Sequence, residues 1–148
     1  MRWKPLVLLI ALLILLAGCS HSTTSQKVES SISDDEMKKV ATEWITKQQK
    51  LNEATDETDL KKRINELYVP DGTAADNVFK IAKKSLGNQV AVKIDRLSVN
   101  SISAESFEFK AMYETTYVSP NKETFTRAEE HTFVLQKVNG VFKYASNH

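Results

Sequence analysis

The stretch FEFKAMYETTY (residues 107–117) decides the fold class, because its apolar and aromatic residues alternate with mostly polar ones. Six side chains fall on one face of an extended chain: Phe107, Phe109, Ala111, Tyr113, Thr115 and Tyr117. A period of two over so long a stretch is typical of a β-strand that buries one face. The sequence therefore predicts a long strand here, with a solvated outer face.

The segment before this strand has the same period, with one interruption. Val92 and Ile94 continue an alternation that starts at Val90, whereas Leu97 and Val99 have the opposite parity. A single extra residue near Asp95-Arg96 would bring both sets to the same face. The sequence therefore predicts a β-bulge at this point.

Two turns follow the central strand and define two further strands. The first turn is SPNK (residues 119–122), and Phe125, Phe133 and Leu135 then share a face. Asn139-Gly140 is typical of a type I′ hairpin turn. It predicts a short last strand containing Phe142 and Tyr144.

Three helices are predicted upstream of Gly87. The first runs from Asp34 to about Asn52, after a capping-box pattern that begins at Ser33. Trp44 lies on its apolar stripe, where a core anchor and a ligand platform are the alternatives. Leu60, Ile64, Leu67 and Tyr68 mark the second helix, which Pro70 ends. Thr73 is expected to cap the third, which ends at Gly87 as its C′ residue.

Three helices followed by four antiparallel strands predict an α+β fold, with the helices packed on a bent sheet, over residues 34–148. This order of elements, with long strands and a bulge, is similar to the cone-shaped nuclear transport factor 2-like fold and to its simpler relative, the cystatin-like fold. Some enzymes of the first fold hold acidic, histidine and tyrosine side chains inside the cone, which is what the resemblance implies for a site.

The N-terminus has the pattern of a targeting segment. Arg2 and Lys4 precede an uninterrupted apolar run at residues 6–17. This run is too short for the ~20 residues that a membrane-spanning helix needs, and it fits the apolar part of a secretory signal. A buried core helix is the alternative, but such a helix would have a polar face.

The motif LAGC (residues 16–19) resembles the lipobox of bacterial lipoproteins. The resemblance implies cleavage before Cys19, removal of residues 1–18 as a signal peptide, and a diacylglyceryl anchor on the thiol of Cys19. The alternative is an ordinary signal peptide with a free thiol. Residues 19–33 are rich in serine and threonine and predict a flexible tether.

Composition excludes several classes of function. The formal net charge of the 148 residues is +1, without a basic cluster, so no nucleic-acid partner is predicted. One cysteine excludes an internal disulfide. Neither a metal-ligand spacing nor a glycine-rich phosphate loop occurs, so no cofactor and no metal are predicted. The sequence therefore predicts a protein that is not an enzyme.

Strand pairing predicts one candidate binding face. If the SPNK turn pairs Tyr117 with Phe125, then Tyr113 faces Glu129, and Ala111 faces His131. The polar end of this face then carries Tyr113, Thr115, Tyr117, Arg127, Glu129 and His131. These residues would either line a pocket at the mouth of a cone or form a solvated sheet end. In a pocket, His131 beside Glu129 could act as a general base.

The leading hypothesis is a lipid-anchored binding or accessory domain on the outer surface of a bacterial cell membrane, with a protein partner in the envelope or a small ligand. Small lipoproteins of this build resemble conjugation accessories and exclusion or immunity factors. A Gram-positive membrane is favoured over a Gram-negative outer membrane, because the mature chain is rich in lysine and has no other cysteine. The alternative hypothesis is a small envelope enzyme that uses His131, Glu129 and Tyr113.

Overall fold

A computed structural model describes residues 32–70 and 72–145. Three α-helices pack against one face of a four-stranded antiparallel sheet, which confirms the predicted α+β layers. The predicted signal peptide (1–18), Cys19 and nearly all of the predicted tether lie outside the described residues. Ile32 and Ser33 belong to the predicted tether, and the structure shows the Ile32 side chain buried against the core.

The first helix, α1 (Asp34–Gln49), begins as the capping pattern predicts. The Ser33 side chain accepts a hydrogen bond from the backbone N–H of Glu36 at 3.3 Å, and acidic residues fill the first turn. The apolar stripe buries Met37, Ala41, Trp44 and Ile45. The predicted end near Asn52 is too late, since the chain tightens into a 3₁₀ turn (Lys50–Glu53), as helices often do at their C-termini.

The second and third helices are α2 (Glu57–Leu67) and α3 (Thr73–Ala82), and a 3₁₀ turn (Lys83–Ser85) follows α3. The predicted cap of α3 is wrong: Thr73 is already helical, and Gly72 is the N-cap residue without a side-chain bond. Gly87 follows the 3₁₀ turn with a φ of 78°, a left-handed conformation that favours glycine.

The strands are β1 (Gln89–Ser103), β2 (Ser106–Val118), β3 (Thr124–Val138) and β4 (Val141–Tyr144), in that order across the sheet. The registers confirm the predicted pairs: Tyr117–Phe125, Tyr113–Glu129, Ala111–His131, Phe109–Phe133, Phe107–Leu135 and Leu135–Tyr144. The sheet therefore places the candidate face where the turns predicted it.

The predicted bulge in β1 is also confirmed. Ile94 pairs with Tyr113 and Arg96 pairs with Met112, so Asp95 is the extra residue. The bulge reverses the parity of β1, and Leu97 and Val99 therefore pack against the core together with Ile94.

Trp44 lies at the centre of the core and is 3% exposed. Its ring centroid is 4.9 Å from that of Phe133 and 5.9 Å from those of Tyr68, Phe109 and Tyr144. The indole N–H donates a hydrogen bond to the backbone carbonyl of Leu67 at 3.1 Å. The interpretation of Trp44 as a core anchor is thereby confirmed over that of a ligand platform.

Candidate functional site

Burial along β3 shows how far the helical layer extends. On the face that packs against the helices, Leu135 is buried, Phe133 is partly buried, and Phe125 is 62% exposed. The helices therefore cover only one end of β3. The other end leaves an open surface beside β2, and the candidate residues lie there.

The six predicted residues divide into a buried row and an open row. Tyr113 and Thr115 are buried on β2, and Tyr117 is partly buried beyond them. On β3 the side chains of Arg127 and His131 are 62% and 50% exposed, whereas that of Glu129 is 16% exposed. The face thus combines a covered floor with an accessible rim.

Gln49 is the last residue of α1, and its side chain forms hydrogen bonds with all three residues of the buried row. Its amide nitrogen donates to the Tyr113 hydroxyl at 3.1 Å. Its amide oxygen accepts from the Thr115 hydroxyl at 3.2 Å and from the Tyr117 hydroxyl at 3.0 Å. One buried amide therefore satisfies three hydroxyl side chains and fixes the floor to the helical layer.

Gln49 is a residue of the site that was not predicted from the sequence. The residue follows Met37, Ala41 and Ile45 at intervals of four, so it continues the buried stripe of α1. A polar residue on an apolar stripe needs a buried partner, and this spacing is the signal that could have identified it.

Glu129 organises the rim. Its Oε1 lies 2.6 Å from Nη2 of Arg127 and 3.4 Å from Nε2 of His131. Ion pairs at the surface add little to stability, but these contacts with Glu129 orient the exposed side chains of Arg127 and His131. The rim therefore presents a guanidinium and an imidazole in defined positions.

The tyrosine hydroxyls of the site are neutral hydrogen-bonding groups near pH 7. Burial, and after it the negative charge of Glu129, raise the pKa of Tyr113 above its usual value. The same two causes raise the pKa of Tyr117. Both hydroxyls thus keep their protons, and neither is poised to act as a base.

A cleft of about 560 Å³ opens at this end of the sheet. Tyr117, Phe125 and Arg127 line it together with Ser85, Asn88, Ser119, Glu123 and Thr124. Its size is within the range of small-ligand sites, though it is open to solvent. Of the predicted residues, Tyr117 and Arg127 line this cleft, Tyr113 and Thr115 lie buried in the floor, and Glu129 and His131 stand on the adjoining rim.

The described ranges contain neither a candidate metal site nor a membrane-spanning helix. Over residues 32–70 and 72–145, no three His, Cys, Asp or Glu side chains are grouped so that they could hold a metal ion. The helices in those same ranges are all too short or too polar to cross a membrane.

Comparisons with known proteins show the fold. No protein-family model matches the chain, and no curated protein matches it. A Xanthomonas campestris structure provisionally assigned as a calcium/calmodulin-dependent protein kinase II association domain is 18% identical, with a TM-score of 0.57, and the match covers 76% of this chain and 84% of that one.

Two further structures carry names of enzymes. A hexachlorocyclohexane dehydrochlorinase is 12% identical, with a TM-score of 0.52 and coverage of 72% and 78%. A Novosphingobium aromaticivorans protein provisionally assigned as a scytalone dehydratase is 12% identical, with a TM-score of 0.51 and coverage of 72% and 77%.

These likenesses correct the prediction that the protein is not an enzyme. That prediction rested on the absence of familiar catalytic motifs, yet proteins named as enzymes share this architecture. The fold alone establishes no activity in this chain either. At such low identity the comparisons show the fold and nothing finer, and that fold is the predicted nuclear transport factor 2-like or cystatin-like one.

Proposed function

We propose that the protein is a lipid-anchored binding domain on the outer surface of a bacterial cell membrane, held there by a diacylglyceryl group on Cys19. The LAGC motif after a short apolar run supports this proposal. Two acyl chains give stable anchoring where one gives only marginal binding. A serine- and threonine-rich tether would separate the domain from the bilayer, and a Gram-positive membrane is favoured.

The observation that carries the binding role is the cleft between Tyr117, Phe125 and Arg127. Phe125 offers an exposed ring for apolar contact, and the guanidinium of Arg127 offers donors for a carboxylate or phosphate. The buried amide of Gln49 holds the floor beneath them. A surface that is already ordered before binding loses less entropy on binding.

An envelope protein or a small ligand with an apolar part and an anionic group would fit these features. As an accessory of a conjugation system, or as an exclusion or immunity factor, the domain would meet its partner at the membrane surface. The rim residues Glu129 and His131 would then extend the contact beyond the cleft.

Affinity capture from detergent-solubilised membranes tests the binding role. Phe125→Ser combined with Arg127→Ala is expected to lose a partner that the wild-type chain recovers, because this variant removes both the apolar and the cationic contact. Lys110→Ala is the matched control, since Lys110 is 54% exposed, is also ion-paired, and lies on the opposite face of the sheet. Equal recovery by the wild type and the double variant would contradict the proposal.

Catalysis is the second candidate, and the observation favouring it is the distance of 3.4 Å between His131 Nε2 and Glu129 Oε1. A histidine oriented by a carboxylate can act as a general base. His131→Gln separates the two candidates, because glutamine keeps a hydrogen-bonding group but cannot take up a proton at neutral pH. If the role is binding, the His131→Gln variant still captures the partner and also complements a deletion of the gene. If the role is catalysis, the variant captures the partner but does not complement the deletion.

A further inference from the structure

Among the described residues, one edge of β3 has no neighbouring strand over most of its length. β2 pairs with β3 from Thr124 to Gln136, whereas β4 pairs only with Leu135–Val138. Within the described residues, the edge of β3 from Thr124 to Val134 therefore has no neighbouring strand. β1, at the other side of the sheet, is interrupted by its bulge, which makes it a poorer template for pairing.

The hairpin fixes which backbone groups point to this free edge. Asn139 and Gly140 have φ values of 51° and 82°, as in a type I′ turn, whose closing pair Val138–Val141 exchanges hydrogen bonds. Backbone groups alternate in direction along a strand, and Lys137 accordingly donates toward the β2 side, to the Glu105 carbonyl at 2.7 Å. The even-numbered residues of β3 thus direct their N–H and C=O groups outward.

We propose that a second copy of this chain pairs with the free edge, antiparallel, about a twofold axis at Ala128. The segment TFTRAEEHT (residues 124–132) is self-complementary in this register. Ala128 lies opposite its own counterpart, Arg127 lies opposite Glu129 of the second copy, and Phe125 lies opposite His131 of the second copy. The helical layers of both copies then lie on the same face of one continuous sheet.

Charge selects this register over its neighbours. Pairing about Arg127 would place two guanidinium groups opposite each other, and pairing about Glu129 would place two carboxylates opposite each other. Like charges in directly opposed positions destabilise a strand pair, whereas opposite charges stabilise it. Of these three registers, only the one about Ala128 forms two ion pairs and avoids both conflicts.

The proposed pairing also accounts for exposed groups on the face that carries the candidate site. Phe125 is 62% exposed, and the His131 side chain is 50% exposed. In this register odd-numbered residues form the non-hydrogen-bonded pairs, in which side chains approach most closely. Each phenyl ring would therefore contact an imidazole of the second copy along one edge, and the two clefts would join into one continuous surface that remains open to a partner.

Cysteine cross-linking of the full chain tests this interface, both in membranes and in detergent. Ala128→Cys is expected to give a disulfide-linked dimer on mild oxidation, because the opposed Cα atoms would lie about 5.5 Å apart, within the disulfide range. Thr126→Cys is the matched control on the same strand and face, since its two copies would be about 14 Å apart. The wild-type chain, whose only cysteine is Cys19, is the control that shows whether a cross-link forms through that residue.

Charge exchange in the Ala128→Cys background tests the register. Arg127→Glu is expected to reduce the dimer yield about tenfold, because it places carboxylates opposite each other twice in the dimer. Adding Glu129→Arg restores opposite charges and is expected to restore the yield. Equal yields from Ala128→Cys and Thr126→Cys, no dimer from Ala128→Cys, or a cross-link only to another protein would overturn the proposal.

Discussion

Replacing Trp44 with alanine is expected to lower the free energy of unfolding by about 3–5 kcal/mol. Trp44 contacts four aromatic rings, one from the residue that follows α2 and one from each of β2, β3 and β4: Tyr68, Phe109, Phe133 and Tyr144. Truncation removes these contacts, leaves a cavity and deprives the Leu67 carbonyl of its donor. Since small domains are stable by only about 5–15 kcal/mol, this loss is a large share of the total stability.

Urea unfolding followed by circular dichroism measures this effect. Trp44→Phe is the matched variant, because it keeps an aromatic ring and removes the indole N–H. Its expected loss is smaller, about 1–3 kcal/mol, and reflects the smaller ring and the unsatisfied carbonyl. A loss below about 1 kcal/mol for the alanine variant would show that Trp44 is not the centre of the core.

Replacing Gln49 with leucine is expected to lower the free energy of unfolding by about 2–4 kcal/mol. Leucine has nearly the same volume, so packing changes little, but the hydroxyls of Tyr113, Thr115 and Tyr117 lose their shared partner. Tyr113 and Thr115 are buried, so water cannot readily replace the amide there. The same change is expected to loosen the floor of the cleft.

Lys47→Leu is the control for this second prediction, because Lys47 is an exposed residue of the same helix. Its expected effect lies within about 0.5 kcal/mol. Urea unfolding gives both values, and amide exchange at Tyr113 and Thr115 reports the floor directly. Equal stabilities of the two leucine variants would contradict the role assigned to Gln49.

Most of the fold could be predicted from the sequence, because hydrophobic period and turn chemistry agree along the chain. Alternation at residues 107–117 predicts β2, the change of parity near Asp95 predicts the bulge, and Asn139-Gly140 predicts the last hairpin. These signals are local, and each has a physical cause that tertiary packing reinforces. The register follows from them, because two turns fix three strands.

Helix ends and the site were harder to predict. The choice between an α-helical and a 3₁₀ last turn depends on packing beyond the helix, and so the ends of α1 and α3 were misplaced. The exposure of Phe125 and His131 depends on how far the helices extend over β3, which no single strand encodes. Gln49 joins the site across 64 to 68 residues of sequence, so only the packed structure brings it to the tyrosines.

Lipid attachment at Cys19 is the claim on which the proposed function rests, and mass spectrometry of the N-terminal peptide tests it most directly. The full chain would be isolated from the membranes of producing cells, digested, and compared with a Cys19→Ser variant. For the wild-type chain, the expected result is a peptide that begins at Cys19 and carries a diacylglyceryl group. The Cys19→Ser variant is expected to be lost from the membranes. An unmodified Cys19, or a peptide that still contains residues 1–18, would contradict the proposal.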